Sequence, residues 1–448
     1  MITLKKIFSL FGIDTAIFFN ILSRILSSFG GLITLLLITK FLSLEEQGYY
    51  YTFLSIIAVN IFFELGLNSV IVQFVAHEKS KFNINDFNIT GTPQNISRLC
   101  SIFSFMCKWY LVSAFLFFLV INIFSYYFFS SFSENSSISW FYPLITLCFF
   151  TSINLFVSPF ISFLEGLGYI DRVAKFRTIQ QTSIILFTWL ALFSGLSLFI
   201  PAIASFISLI VTLIFLSQFI RLFNQIHKYE QNEKVRYFKE IFPFQWKIAL
   251  SWIGGYFIFK FFTPVIFAIE GAAAAGRMGL TLAILNVVLS VSIAWNSTKI
   301  PIYSELIANK NYDKLDNLFN ITFLKSTFVN FLAHLFLIII LLFVFEYNFF
   351  GLVFSDRVIE FTPFMFLIIA FFMNHVLGSI AIYLRCHKKE PLLLNSITYG
   401  FLSSLSTVYF GSIYGVEGIT LSYAIISIFI TLWGIIIFFQ KKKLWHLN

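Results

Sequence analysis

The sequence predicts an all-α integral membrane protein with twelve transmembrane helices. Three observations carry that expectation. Of 448 residues, 58% are hydrophobic and only 11% charged, with a mean hydropathy of +0.87. A soluble domain is about 25% charged, so this chain could not hide its surface from water. Twelve stretches also reach the roughly 20 mostly apolar residues that span a bilayer. Finally, Lys and Arg gather on alternate connectors, which sets an orientation.

The stretches are 15–39, 49–76, 109–130, 140–167, 178–197, 199–220, 245–269, 273–298, 323–346, 358–383, 392–412 and 415–439. The first follows Lys5 and Lys6, as a secretory signal would. It is too long for a signal h-region, lacks a small-x-small cleavage site and is followed by similar runs, so it reads as the first span. The longest polar breaks, 77–108 and 221–244, are too short for a soluble domain. The four cysteines, Cys100, Cys107, Cys148 and Cys386, form no CxxC or Cys/His metal spacing and read as small apolar fillers. The heavy use of Phe fits an AT-rich genome and carries no functional weight. The Asn-x-Ser/Thr triplets at Asn88 and Asn95 are ignored as chance.

With both termini inside, 25 of the 30 Lys and Arg residues fall on inner segments; the exceptions are Arg24, Lys40, Lys260, Arg277 and Arg357. This bias accounts for most of the net charge of +9, which calls for no nucleic-acid partner. The most basic break, 221–244, divides the helices six and six. The expected organisation is therefore an N-terminal lobe (1–222), a cytoplasmic linker (223–244) and a C-terminal lobe (245–448). An offset of 228 aligns Leu22-Ser23 with Leu250-Ser251, Gly48 with Gly276, and Asn68-Ser69 with Asn296-Ser297. Helices 1 and 7 run the same way, so the repeats are parallel.

Polar residues recur at helical spacing inside these stretches. Asn20, Arg24, Ser27 and Gly31 share a face of helix 1; Asn60, Glu64 and Asn68 share one of helix 2; Asn154, Ser158, Ser162 and Glu165 share one of helix 4. In helix 7, Tyr256, Lys260 and Pro264 align after Gly254-Gly255; in helix 8, Arg277 and Thr281 lie near one end, Ser292 and Asn296 near the other. Such groups avoid lipid and converge on a shared interior, or else pair and glue helices together. Glu165, near the inner interface, is expected to pair with Arg172 or Lys175. Lys40 and Arg357 lie where a long side chain snorkels.

An arginine at mid-membrane costs about 2.5–3.5 kcal/mol on insertion scales, so Arg24 calls for a reason. Arg24 and Lys260 occupy the same helix of each repeat with the same sign, and Glu64 can neutralise only one. Fixed cations attract an anion: arginine bonds two phosphate oxygens with its planar fork, and lysine acts as a point charge. Amides and hydroxyls suit a sugar. The candidate substrate-binding set is Arg24, Lys260, Arg277, Asn20, Asn68, Asn296 and Tyr256, with Glu64 and Asp14 as candidate ion-coupling sites. No catalytic residue, metal site or cofactor is expected.

FLSLEEQGYYYTFLSI (41–56) and FELGLNSVIVQFVAHE (63–78) resemble the signature of the bacterial polysaccharide transporter family. QWKIALSWIGGYFIFK (245–260) and AWNSTKIPIYSELIA (294–308) are similar to segments of O-antigen and lipid-linked oligosaccharide flippases, in the superfamily of multidrug and toxic-compound extrusion (MATE) proteins. The resemblance implies two six-helix lobes in a V around a central cavity, working by alternating access. It implies a flippase moving an undecaprenyl-pyrophosphate-linked oligosaccharide, such as an O-antigen unit of lipopolysaccharide, across the cytoplasmic (inner) membrane. It implies a monomer, with membrane lipid, a polysaccharide polymerase and a chain-length regulator as partners. Arg24 matches a cationic first-helix position of related flippases. A MATE-type exporter of small cations is the alternative; a membrane polysaccharide polymerase is weaker, because no DxD, HExxH or GxSxG occurs and the outer loops are short.

Overall fold

The computed structural model describes residues 15–79, 82–85, 88–133, 138–229, 235–346 and 354–446. It is nearly all helix. The chain opens with α1 (Thr15–Phe41), α2 (Leu44–Ile57), α3 (Asn60–Glu64) and α4 (Leu67–Lys79). Ser43 starts α2 through a capping box: its hydroxyl accepts from the Glu46 amide, and the Glu46 carboxylate accepts from the Ser43 amide. The second expected span is not continuous. Leu65 and Gly66 both take left-handed conformations, so α3 stops one turn after it starts, and the shared face drawn through Asn60, Glu64 and Asn68 does not run unbroken.

A short antiparallel hairpin, β1 (Phe82–Asn85) with β2 (Asn88–Gly91), pairs Phe82 with Gly91 and Asn85 with Asn88. It is the only β-structure among the described residues, and it falls in the first long polar break. Then come α5 (Pro93–Phe132), α6 (Phe141–Gly166), α7 (Ile170–Phe193), α8 (Ile200–Ser217), α9 (Ile220–Lys228) and α10 (Tyr237–Glu240). The remainder is α11 (Phe242–Phe259), α12 (Phe262–Ser297), α13 (Ile300–Ala308), α14 (Tyr312–Glu346), α15 (Phe361–Cys386) and α16 (Leu393–His446).

Nine helical spans among the described residues are long and apolar enough to cross a membrane. The chain is a multi-pass membrane protein. Two of the nine are double: α12 passes through non-helical backbone at Gly271, and α16 does so at Gly415. Both glycines have positive φ, which only glycine adopts freely. Near Gly415 the Glu270 carboxylate accepts from the Val416 amide at 2.7 Å, so a residue beside one kink caps the helix beyond the other. The helix α7 is 24 residues long and is not among the nine; Asp171, Arg172, Lys175 and Arg177 charge its first turns.

Proline explains two further irregularities. Pro264 has no N–H and its ring crowds the carbonyl four residues back, that of Lys260. The helix breaks there: α11 ends at Phe259, α12 begins at Phe262, and the Phe261 amide reaches back to the Tyr256 carbonyl at 3.2 Å. Inside α6, Pro159 likewise frees the Leu155 carbonyl, and the Ser158 hydroxyl donates to it at 3.1 Å.

The chain forms two compact units. One holds residues 1–34, 59–131 and 137–249; the other holds 35–58, 132–136 and 250–448. In the first, α6 packs on α4 and α8, and α7 on α8. Its surface segment 235–241 is pinned down. Tyr237 stacks on Phe105 with centroids 4.7 Å apart and donates to Gln245 at 2.8 Å. Arg98 pairs with Glu78 at 3.2 Å and with Glu240 at 2.7 Å. In the second, Tyr303, Phe319, Tyr383, Leu384 and Phe438 form a dense core.

The helix α2 belongs to the second unit, where it packs along α12. The contact runs backbone on backbone. A Cβ at Gly276 would lie 2.8 Å from the Gly48 nitrogen and 2.8 Å from the Leu44 oxygen. Gly48 and Gly276 are the pair that the 228-residue offset aligns. The absence of both side chains lets the helices meet. Gln47 then donates to the Gly276 carbonyl at 2.7 Å and to the Arg357 carbonyl at 3.2 Å, while Arg357 donates to Leu42 at 2.9 Å.

Candidate functional site

The first unit contains a polar cavity of about 340 Å³ lined by Asn68, Asn154, Ser158, Ser162, Phe176, Arg177, Gln180, Ser208 and Thr212. Four helices build it. Asn68 lies on α4 just past the Leu65-Gly66 break and donates to Ser158 at 3.1 Å, while its own amide oxygen has no hydrogen-bond partner. Asn154 donates to the Ser205 carbonyl at 2.8 Å, and Gln180 donates to Thr212 at 2.8 Å and Ser208 at 3.0 Å. Glu64, ending α3, interacts with the Asn68 side chain. The stripe Asn154, Ser158, Ser162 therefore gathers on one cavity with Asn68. Glu165 does not line it: its carboxylate pairs with Arg177 at 2.6 Å, rather than with Arg172 or Lys175 as expected. Arg177, Gln180, Ser208 and Thr212 were absent from the sequence-based set. For Ser208 and Thr212 a signal was available as hydroxyls four residues apart in an apolar helix, and for Gln180 as an amide one turn after Arg177.

Arg24 lies on α1 and is exposed. Asn20 belongs to the same helix. Asp14 lies outside the described residues.

In the second unit, Lys260 is exposed and sits at the break that Pro264 imposes. Tyr256, one turn earlier, is buried and packs edge-on against Phe257 at 5.4 Å. Arg277 stands elsewhere. Its Nε donates to the Asp356 carbonyl at 3.0 Å, and it lines a cavity of about 300 Å³ with Glu270, Glu360, Tyr414 and Glu417. Three carboxylates share that cavity with one guanidinium, so it does not present the net positive charge that an anion site needs. Asn296 is fully buried, donating to Ser326 at 2.8 Å and Ser379 at 3.1 Å. Its role in this arrangement is cohesion inside the unit. A third cavity, about 470 Å³, is lined by Trp295, Thr298, Lys299, Thr322 and Lys325 among apolar side chains. Among the described residues no group of three or more His, Cys, Asp and Glu side chains is placed to hold a metal.

The family model described as "Polysaccharide biosynthesis protein" matches residues 15–307. The chain belongs to this family. No curated protein sequence matches it. Solved structures fix the fold of this family member as that of MATE-like transporters. An inward-facing multidrug-resistance MATE family transporter superposes with a TM-score of 0.64 at 12% identity, over 95% of this chain and 99% of that one. The lipid II flippase MurJ in an inward closed conformation gives 0.60 at 15% identity, over 94% and 87%. A MATE transporter from Vibrio cholerae, as a mutant, gives 0.61 at 12% identity, over 97% and 98%.

Proposed function

We propose that this polysaccharide biosynthesis protein is a flippase, not an enzyme, and that it carries an undecaprenyl-pyrophosphate-linked oligosaccharide across the cytoplasmic membrane. The family match over residues 15–307 carries the reading, because it ties a MATE-like fold to glycan assembly. The kinks at Gly271 and Gly415, with α7, support twelve spans, and the charge bias supports both termini inside. The lobes of the transport cycle are 1–222 and 245–448, joined by the linker 223–244.

Arg24 and Lys260 supply cationic contacts for the pyrophosphate, Arg24 through its planar fork and Lys260 as a point charge. Arg277 offers a further cation, less suited because acids surround it. Asn68 heads the amide and hydroxyl set of the 340 Å³ cavity, whose chemistry suits sugar hydroxyls. Asn20, Tyr256 and Asn296 act in support, and Glu64 and Asp14 are the carboxylates available for ion coupling. Movement is by alternating access. The protein works as a monomer that hands its cargo to a polymerase and chain-length regulator.

The test is complementation in a strain lacking its own flippase, with Arg24 replaced by Ala, Glu and Lys at equal membrane levels. The proposal expects Ala and Glu to abolish surface glycan and Lys to retain part of it. Normal glycan from all three would make Arg24 a structural charge and remove the anion argument.

A further inference from the structure

The cavity of about 470 Å³ in the second unit has no part in the substrate reading. It forms where α12 stops. Thr298 caps the end of α12, Lys299 caps the start of α13, and Pro301 sits in the first turn of α13, where its missing N–H costs nothing. The facing wall is α14. Asn296 bonds Ser326 at 2.8 Å and Asn330 bonds Ser292 at 3.0 Å, so α12 and α14 run antiparallel there. Continued toward the end of α12, that register sets Lys299 level with residues 322–323. Lys325 is two to three residues away, so the two lysine positions lie within about 5 Å of each other along the axis. Leu318, Ile321, Thr322 and Lys325 follow the i, i+3, i+4, i+7 spacing of one helix face.

The lining is cationic at one level and apolar around it. No carboxylate lines the cavity. Neither lysine pairs with an acid among the described residues, and Asp316, the acid of α14 closest to them in sequence, is taken by Lys442 at 2.8 Å. The Thr298 hydroxyl already donates to the Trp295 carbonyl at 2.9 Å, so it has only acceptor capacity left. Trp295 and Ile321 are 42% and 44% exposed, on a surface that a membrane protein turns to lipid. Tryptophan at that level is the habit of a membrane interface. The charge bias that sets both termini inside puts Lys299 and Lys325 at the inner face.

We propose that this cavity binds an anionic glycerophospholipid of the inner leaflet. Lys299 and Lys325 hold the phosphate, Thr298 accepts from a headgroup hydroxyl, and the first methylenes of the chains lie on Trp295 and Ile321. Basic pockets between membrane helices on the cytoplasmic side suit such heads. Two lysines without a carboxylate favour a head of net negative charge, because a zwitterionic head brings its own cation against them. A soluble anion would leave the apolar wall unused. The volume accommodates a glycerophosphate head. The site is separate from the proposed pyrophosphate contacts and does not depend on the flippase reading.

The test uses the full-length protein in neutral detergent and phosphatidylglycerol with brominated chains, which quench nearby tryptophan. The chain has eight tryptophans, so the Trp295 signal is the difference between the protein and its Trp295→Phe variant. A lysine beside an anionic head is worth about fivefold in binding, and two are worth about 25-fold. Brominated phosphatidylglycerol should therefore quench Trp295 at about 25-fold lower mole fraction than brominated phosphatidylcholine. Lys299→Gln and Lys325→Gln should each cut that preference about fivefold, the double variant should abolish it, and the double Lys→Arg variant should keep it. Equal quenching of the unmutated protein by the two lipids would overturn the proposal, and this comparison decides the matter even if the Gln variants fail to fold. An undiminished preference in a folded double Gln variant would also overturn it. Displacement by inorganic phosphate would make the site one for a soluble anion. Displacement by undecaprenyl pyrophosphate at lower concentration than by unlabelled phosphatidylglycerol would assign it to the transported lipid. Either displacement refutes the proposal.

Discussion

Adding one methyl group at Gly276 tests the helix contact that the 228-residue repeat marks out. The new Cβ of Gly276→Ala would sit 2.8 Å from two backbone atoms, the Gly48 nitrogen and the Leu44 oxygen, and 3.2 Å from the Gly48 Cα. Ordinary contact begins near 3.4 Å, so α2 must retreat from α12 by about half an ångström. Neither neighbour is a side chain that can rotate away. Overpacking of this kind costs about 1–3 kcal/mol, and rigid neighbours place it in the upper half of that range. Alanine recovers about 0.5–1 kcal/mol through helix propensity. The net loss is about 1–2 kcal/mol. Gly255→Ala in α11 is the matched control, because its Cβ would meet nothing within 4 Å. That variant gains up to about 1 kcal/mol, so the two separate by about 2–3 kcal/mol. The assay is thermal unfolding in detergent, followed with a thiol-reactive dye, since Cys100 and Cys148 are buried free thiols. A midpoint for Gly276→Ala equal to or above that of Gly255→Ala would refute the close-contact argument.

Other expectations follow from single contacts. Ser158→Ala removes the donor to the Leu155 carbonyl and costs about 1–3 kcal/mol; the cost shrinks in a Pro159→Ala background, where a backbone N–H is restored, and the comparison is read by the same melting assay. Arg98→Ala releases residues 235–241, seen as faster protease cutting there, because Glu78 and Glu240 lose their shared cation. The Glu240 carboxyl is held below its ordinary value of 4.5, first by the Arg236 amide and then by Arg98. The folded state therefore favours the ionised form. That support is complete above the ordinary value and is lost as the pH falls through the lowered one. Hydrogen exchange of the 235–241 amides should accelerate only on acidification below the ordinary value of 4.5.

Hydropathy and charge made the helical membrane fold legible, because every helix in lipid must bury its own backbone polar groups and so be long and apolar. The break at Lys260 was readable in principle from Pro264, four residues on. The break at Leu65 was not, because only Gly66 signals it and a leucine in left-handed conformation has no sequence mark. The repeat was visible through Gly48 and Gly276, although nothing in the alignment says that the two aligned glycines touch. The cavity of the first unit was half legible: Asn154, Ser158 and Asn68 stood out, while Gln180, Ser208 and Thr212 did not. Helical periodicity orders residues within one helix and is silent on which helices meet. The same limit hid the buried partners of Asn296, because Ser326 and Ser379 reach it from two other helices.

The most direct test of the account is reconstitution. The purified protein would be placed in liposomes carrying an undecaprenyl-pyrophosphate-linked oligosaccharide, and the glycan reaching the opposite leaflet would be followed with an impermeant lectin or glycosidase. The account predicts glycan movement well above that of empty liposomes, sharply reduced by Arg24→Ala and partly preserved by Arg24→Lys. No movement of the glycan lipid, from a preparation that does transport a small organic cation, would contradict it and make the chain a MATE-type exporter.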